Sequence, residues 1–247
     1  MAHCENSVDC LRQMRSNLHK FWTWQVRQSA LRLLSKIVSL GDETEGLVLA
    51  AAAIHGWVSG DAAREMVRLS RNLRGDPTIV EVGVFMGRST ALLAGARRRS
   101  ATGTVHCIDP FDCSGDAVSA PVYEVLRNTS GTKSTEAIFL ENMSELNLTS
   151  RIVVHAKSSR EQALAWDKPI DLLLLDADHS PSGAKEVFDD WIKYLKIGGV
   201  LVLHNTGDRE YRSGHNGNRL LQINEVIAPK FGDIRTIENT TFAVKTL

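Results

Sequence analysis

The strongest constraint in the sequence is a series of short apolar runs that alternate with helical segments from residue 78 onward. In the run at 170–176 (IDLLLLD), consecutive leucines leave no polar face. Such a strand must be covered on both sides, as in a parallel sheet with helices on each face. The pattern therefore predicts an α/β fold with a doubly wound, mostly parallel, seven-stranded sheet. The predicted strands are residues 78–84, 104–109, 151–156, 170–176, 199–204, 233–238 and 241–246.

The two ends of the chain depart from this alternation. The last two strands meet around Asn239 and Thr240, which predicts a C-terminal antiparallel hairpin at the edge of the sheet. Residues 1–74 carry apolar positions at helical spacing and contain no strand pattern. A break at 75–77 (GDP) then separates this N-terminal helical extension from a domain of residues 75–247.

Charge and composition limit the partners of the chain. Lys and Arg number 29 and Asp and Glu also 29, so the net charge is zero, which argues against a nucleic-acid partner. The four cysteines form no CxxC pair, so we expect reduced thiols and no zinc site. The N-terminus has no apolar signal core, and the longest apolar run is shorter than the roughly 20 residues of a membrane span. We therefore expect a cytoplasmic protein without a membrane partner.

An aromatic stripe in the extension has three possible roles. Phe21, Trp22 and Trp24 lie close together in a helical segment. Such a stripe packs on its own domain, covers the pocket of a small-molecule substrate or forms a dimer surface. Among these we favour a homodimer.

The first strand leads into a glycine-containing turn at 81–90 (EVGVFMGRST). Gly83 and Gly87 permit a tight turn and close approach of the backbone. The helix that follows offers free N–H groups to an anion, with the Ser89 hydroxyl as a further donor. A glycine-containing turn between a strand and a helix indicates a nucleotide-type cofactor site.

The cofactor type follows from the spacing of the glycines and from the end of the second strand. Asp109 follows that strand, where a carboxylate can accept hydrogen bonds from ribose hydroxyls. A dinucleotide site would have the pattern GxGxxG, but Phe85 stands at the middle glycine and would meet the pyrophosphate. A cofactor with adenine and ribose but no phosphate fits better, and S-adenosylmethionine is one.

Polar residues also follow the fourth and fifth strands. Asp176 ends one strand, and His204 and Asn205 end the other, so the three converge if these strands are neighbours. They form a candidate divalent-metal site, although such residues are often only loop caps. His179 is a candidate general base, because its ordinary pKa lies near neutrality; the alternative is a solvated loop histidine.

The loop at 208–218 is polar and follows the fifth strand directly. It is a candidate lid over the crevice, and Tyr211 and His215 are the residues that would reach a substrate from it. An ordinary surface loop is the alternative.

Four motifs in order carry a resemblance to a known family. They are EVGVFMGRST at 81–90, VHCIDPFD at 105–112, DLLLLDADHS at 171–180 and GGVLVLHNT at 198–206. The set resembles the class I S-adenosylmethionine-dependent methyltransferases, nearest to the small O-methyltransferases that include the catechol and caffeoyl-CoA enzymes. It is also similar to bacterial sugar and natural-product methyltransferases. The resemblance covers residues 75–247.

The resemblance implies roles for particular residues. Glu81, Gly83 and Gly87 would shape the methionine end of the cofactor pocket, beside Phe85. Ser89 would bind the cofactor carboxylate and Asp109 the ribose. Phe111 and Ser158 would border the adenine. Asp176 and Asn205 would bind a metal, Asp176 also lying near the cofactor amino group. Two positions depart from the family: His204 stands where the catechol branch has an aspartate, which favours a softer ion than magnesium or none, and His179 replaces its catalytic lysine.

The expected reaction is methyl transfer to a hydroxyl oxygen of a small molecule, such as a sugar or a phenolic natural product. Asp176 and His179 would be the catalytic residues, and a metal at Asp176, His204 and Asn205 would lower the pKa of the hydroxyl. The alternatives are an NAD(P)-dependent oxidoreductase and a non-catalytic scaffold subunit that binds the cofactor.

Overall fold

The computed structural model describes residues 26–98, 102–129, 133–207 and 212–247. The aromatic stripe at 21–24 and Tyr211 lie outside these ranges. The sheet has seven strands in the order β3-β2-β1-β4-β5-β7-β6. Strands β1 to β5 pair in parallel, and β7 runs antiparallel to both β5 and β6. The predicted fold class and terminal hairpin are therefore confirmed. The strands are β1 Thr78–Val82, β2 Thr104–Ile108, β3 Ile152–His155, β4 Ile170–Leu175, β5 Leu195–Leu203, β6 Phe231–Ile237 and β7 Thr240–Lys245.

Helices occupy the connections between the strands. One helix, α1, covers residues 26–38 of the described chain. The last helix ends at Asn224, earlier than the helical pattern at 218–231 predicts, because Pro229 in that pattern lacks an N–H and restricts the residue before it. The other bounds are α2 Glu43–Ala52, α3 Gly60–Asn72, α4 Arg88–Ala96, α5 Ser119–Thr129, α6 Thr135–Glu145, α7 Ser159–Leu164, α8 Pro181–Ile192 and α9 Gly217–Asn224, with a 3-10 turn at Thr149–Arg151.

Strand β4 shows why the apolar run at 170–176 has no polar face. Leu172 and Leu174 pack into one core cluster, which also contains Met66 of α3 and Leu92 of α4. Leu173 and Leu175 point to the opposite side and pack with Phe188 and Trp191 of α8. All four leucines are almost fully buried. The helices thus cover both faces of the sheet, as a continuous apolar strand requires.

Part of the N-terminal extension shares the core of the sheet domain. Ile54, Ala63 and Met66 lie in the same cluster as residues of β1 and α4. Residues 43–72 therefore pack directly on the sheet domain. The domain boundary at residue 74 stays a prediction. No helix in the described part of the chain is long and apolar enough to cross a membrane.

Gly83 brings two strand ends into contact. It follows β1, has a φ of 88°, and donates its N–H to the carbonyl of Ile108 at the end of β2. A Cβ at this position would lie 2.3 Å from the carbonyl oxygen of Asp176, which follows β4. Only glycine allows both this left-handed conformation and so close an approach. The turn thereby joins the carboxyl ends of β1, β2 and β4.

We predict that Gly83→Ala destabilises the fold more than Gly75→Ala. Gly75 has a φ of 68°, but a Cβ there would meet nothing within 4 Å, so its substitution adds backbone strain alone. We expect a loss of about 1–2 kcal/mol for Gly75→Ala and about 3 kcal/mol or more for Gly83→Ala, measured by urea unfolding. Equal losses would show that the contact with Asp176 relaxes without cost.

Candidate active site

Two adjoining cavities open at the carboxyl ends of the parallel strands. The first cavity is bordered by Asp109 and Ser158. The second is bordered by the polar residues after β4 and β5 and by aromatic side chains. Four residues border both cavities: Gly83, Phe85, Tyr123 and Asp176. Any molecule in the first cavity therefore lies beside a molecule in the second.

Glu81 anchors the start of helix α4. It is fully buried and accepts hydrogen bonds from the hydroxyls of Ser89 and of Thr90, the latter at 2.7 Å. Burial raises the pKa of Glu81 to about 7. Glu81 borders neither cavity, whereas Ser89 borders the second. Glu81 thus affects the cavities only by holding the start of α4 in place, and the Ser89 hydroxyl donates its hydrogen bond to the Glu81 carboxyl group.

Asp109 holds the turn after β1. One carboxylate oxygen accepts the backbone N–H groups of Val84 and Phe85, each at 2.9 Å, and the other accepts that of Phe111 at 2.7 Å. Burial raises the pKa of Asp109 despite these three bonds. A carboxylate has about four acceptor sites, so one remains for a hydroxyl group in the first cavity.

Phe111 and Ser158, both predicted to border an adenine, differ in placement. Phe111 is 8% exposed, packs against Phe139 in the core and borders neither cavity. The expected contact with adenine therefore has no support in the structure, because the side chain belongs to the core. Ser158 borders the first cavity and caps α7 through a capping box with Glu161.

Aromatic side chains form one wall of the second cavity. The rings of Phe85, Tyr123 and Trp57 lie with centroid separations of 4.9 to 5.8 Å. Sequence analysis did not identify Tyr123 or Trp57, since neither follows a strand of the sheet. Phe85 has a φ of 49°, an uncommon conformation for an aromatic residue, and its ring contacts those of Trp57 and Tyr123.

Arg88 fixes the segment that carries His55 and Trp57. Its guanidinium donates to the carbonyls of Ile54 at 2.8 Å and Val58 at 3.3 Å, both in the segment that follows α2. A third bond, to the carbonyl of Ala52 at 3.4 Å, satisfies a group that the end of α2 leaves without a helical partner. Burial lowers the pKa of Arg88 to about 10, so the group still remains a cation at neutral pH.

The residues after β4 and β5 converge on Asp176. Its Oδ2 lies 3.7 Å from Nδ1 of His204, and its Oδ1 lies 3.5 Å from Nε2 of His179. Burial raises the pKa of Asp176, and the charge of Glu81 adds to the effect. Burial lowers the pKa of His204 to about 3. A neutral imidazole thus faces a carboxyl group that favours protonation more than an ordinary aspartate does.

His179 is buried, which corrects the interpretation of a solvated loop histidine. It is 3% exposed, and its ring nitrogens lie 3.2 Å from Nδ2 of Asn205 and 3.5 Å from Nδ2 of Asn218. Burial lowers its pKa to about 4. His179 borders the second cavity, but its ring is held between amide groups and poorly tolerates a positive charge.

The donor set after β4 and β5 fits a metal ion poorly. Nδ1 of His204 is buried without a hydrogen-bond partner and faces Asp176, but Nε2 contacts Asn239 and the Asn205 amide contacts His179. No group of three or more His, Cys, Asp or Glu side chains in the described ranges is arranged to hold a metal. A ligand set with a single carboxylate binds a hard cation such as Mg²⁺ weakly. The metal site at Asp176, His204 and Asn205 therefore stays a prediction.

Comparison with known proteins identifies the family. A family model described as a methyltransferase domain matches residues 80–206, just over half of the chain. The chain belongs to this methyltransferase family. The matched part runs from β1 through β5 and includes Gly83, Asp109 and Asp176.

Solved structures agree at the level of the fold. A Staphylococcus aureus protein, provisionally assigned as a caffeoyl-CoA O-methyltransferase, is 14% identical with a TM-score of 0.56, covering 93% of this chain and 99% of that one. The O-methyltransferase NovP is 16% identical with a TM-score of 0.58, covering 78% and 83%. An rRNA methylase from Streptococcus thermophilus is 13% identical with a TM-score of 0.51, covering 78% and 100%.

The family establishes the chemistry in outline. The chain is a class I methyltransferase, and S-adenosylmethionine is the methyl donor that the family implies. This favours methyl transfer over the nicotinamide-dependent reaction. The likeness to solved structures shows the fold alone at these identities, so it leaves the acceptor open.

We predict that Asp109→Asn weakens binding of S-adenosylhomocysteine and destabilises the fold. An amide NH₂ group would face one of the three backbone donors, which leaves that buried donor unpaired at a cost of about 1–3 kcal/mol. Calorimetric titration and urea unfolding measure the two effects. Asp112→Asn is the control, because Asp112 is exposed and accepts from Ser114 on the surface. Equal effects from both variants would contradict the role of Asp109 in holding the turn.

Proposed function

We propose that this enzyme transfers the methyl group of S-adenosylmethionine to a hydroxyl oxygen of a small molecule. The observation that carries the proposal is the junction of the two cavities at Gly83, Phe85, Tyr123 and Asp176. A donor in the first cavity can present its methyl group to an acceptor in the second only at this junction.

The first cavity suits the donor. Asp109 has an acceptor site for a ribose hydroxyl, and Ser158 borders the same space at the start of α7. Gly83 and Phe85 lead from there to the start of α4, where Ser89 borders the second cavity. The methionine end of the donor would follow this path, with its sulfonium beside Asp176.

The second cavity suits a small acceptor with an apolar ring and polar substituents. Phe85, Tyr123 and Trp57 form an apolar wall, while Asp176, His204 and Asn205 add polar groups at the strand ends. A phenolic or sugar-type natural product matches both kinds of lining. The zero net charge of the chain does not favour a nucleic-acid acceptor. Because the fold is also similar to that of an rRNA methylase, the methyl-transfer assay must include RNA as an acceptor.

The chemistry is an in-line displacement at the methyl carbon. Positioning supplies much of the acceleration, because the acceptor oxygen must lie about 3 Å from the methyl group in line with the leaving sulfur. Asp176 lies at the junction, where its carboxylate would attract the sulfonium and orient the hydroxyl. We assign no step to a metal ion, since the donor set fits one poorly. A homodimer in the cytoplasm is part of the proposal, on the grounds given by the sequence.

The first test measures donor binding and methyl transfer together. We expect the purified enzyme to bind S-adenosylmethionine and S-adenosylhomocysteine, but not NADH, in calorimetric titrations. We expect transfer of labelled methyl groups to at least one member of a panel of catechols, phenols and sugars. Transfer only to ribosomal RNA would overturn the proposed acceptor class. Donor binding with no transfer to any acceptor would favour the scaffold alternative.

The second test separates the charge of Asp176 from its shape. We predict that Asp176→Asn weakens binding of the cationic S-adenosylmethionine more than binding of the neutral S-adenosylhomocysteine, and slows transfer about tenfold or more, since a carboxylate beside a buried cation stabilises it. The ratio of the two dissociation constants is the measurement. An unchanged ratio would place the sulfonium away from Asp176.

The third test concerns the metal. We predict that chelator-treated enzyme keeps its transfer rate within about twofold, because the Asp176, His204 and Asn205 donors fall short of the oxygen-rich ligand set of a hard cation. Loss of transfer that added Mg²⁺ or Mn²⁺ restores would instead establish a metal at these residues.

A further inference from the structure

Within the described part of the chain, the histidines that border the second cavity are His55, His179, His204 and His215. Burial lowers the pKa of His55 and His179 to about 4 and that of His204 to about 3. These three sites therefore disfavour an imidazolium ion, which a histidine base must become when it accepts a proton. The surroundings of His215 are different.

His215 is held by a buried carboxylate. Its Nδ1 lies 3.0 Å from Oδ1 of Asp116, whose side chain is 1% exposed. His179 and His204 lie 3.5 Å and 3.7 Å from their nearest carboxylate oxygens, which is beyond a good hydrogen bond. Of His179, His204 and His215, it is thus His215 that has a direct carboxylate partner.

Asp116 is arranged to remain an anion. Its oxygens also accept hydrogen bonds from the Val118 N–H at 2.9 Å, the Ser119 N–H at 3.2 Å and the Ser119 hydroxyl at 2.7 Å. The hydrogen bonds from Ser119, His215 and Val118 lower the pKa of Asp116 to about 2, against the effect of burial. An ionised Asp116 has no proton to donate, so Nδ1 of His215 carries the proton and Nε2 keeps its lone pair.

The position of His215 is beside the second cavity, where the acceptor would bind. His215 borders the second cavity but not the first, whereas Asp176 borders both. Its ring stacks edge-on with that of His179, with centroids 4.8 Å apart, so it lies next to the cluster at the strand ends. No hydrogen bond from the described residues occupies Nε2 of His215.

We propose that His215, oriented by Asp116, is the general base that removes the proton of the acceptor hydroxyl. This rests on the proposed transfer to oxygen. The acceptor oxygen forms a bond to the methyl carbon, and the carbon–sulfur bond breaks with its electron pair going to sulfur. The hydroxyl proton passes to Nε2 of His215, and Asp116 stabilises the resulting imidazolium until the proton leaves to solvent. This assignment replaces His179, which has a positioning role beside Asn205.

The first arm of the test needs no acceptor. Nitrogen NMR of the enzyme with S-adenosylhomocysteine bound reports which ring nitrogen of His215 carries the proton. We expect a protonated Nδ1 and an unprotonated Nε2, and loss of this preference in Asp116→Asn. A proton on Nε2 in the wild-type protein would overturn the proposal, because that nitrogen would then have no lone pair for the acceptor.

The second arm compares two acceptors of different acidity. Catechol needs a base at neutral pH, whereas 4-nitrocatechol ionises near neutral pH without one. We expect His215→Asn to slow single-turnover methylation of catechol about 100-fold or more, and that of 4-nitrocatechol far less. Asp116→Asn should show the same contrast to a smaller degree. Equal losses with both acceptors would show that His215 only supports the structure.

The pH profile gives a further readout. The loss in His215→Asn should shrink as the pH rises, because the catechol hydroxyl then ionises by itself. Several groups near His215 also carry charge or titrate, so each profile is compared with that of wild type. They are Asp116, His179, His55, His204, Asp176, Tyr123, Arg88 and Arg212. A loss that stays constant with pH would contradict the proposal.

Two control variants complete the design. His155→Gln changes a histidine on β3 that contacts His106, and Asp189→Asn changes an exposed carboxylate on α8 that pairs with Lys185. Both should match wild type in the transfer assays. If wild type methylates neither catechol, the phenolic form of the proposed function fails, and the NMR arm still decides whether His215 has a free Nε2.

Discussion

The contact between the turn at Gly83 and the backbone after β4 is the constraint on which the active site depends. The Gly83 N–H binds the end of β2, and its α-carbon lies against the Asp176 carbonyl. Asp109 then binds the next two N–H groups of the turn. Three strand ends are thereby held within a few ångströms, so the two cavities meet at one place. The rigid sheet makes this arrangement available before any ligand binds.

Charge is distributed unevenly around that junction. Burial favours the neutral forms of Glu81, Asp176, His179 and His204. A cationic donor placed there would therefore favour ionisation of Asp176, which couples donor binding to the charge of the site. Asp116 differs, because its hydrogen bonds outweigh burial and keep it anionic. The site thus contains two kinds of acidic group: Asp176, which would face the sulfonium in the proposed function, and Asp116, an anion that binds His215.

The N-terminal helices contribute to the site as well as to the core. Helix α3 packs with α4 under the sheet, while the segment between α2 and α3 carries His55 and Trp57 to the second cavity. Arg88, the first residue of α4, binds the carbonyls of that segment. The start of α4 thereby links the turn at Gly83 on one side to the aromatic wall on the other.

Local sequence was sufficient to predict the sheet, the terminal hairpin and the strand ends that carry the site. The spacing and number of apolar residues in a segment indicate whether it is a strand buried on both faces. A glycine directly after a strand predicts a tight turn. Both signals lie within a few residues of each other in the chain. The sequence also placed Asp109 and Asp176 at strand ends that the structure brings together. Tertiary structure alone decided that His179 is buried, that Phe111 belongs to the core, and that Tyr123 and Trp57 form a wall. It also decided the partner of His215, since Asp116 lies 99 residues earlier in the chain. No local pattern encodes such a contact, because it exists only after the helices have packed on the sheet.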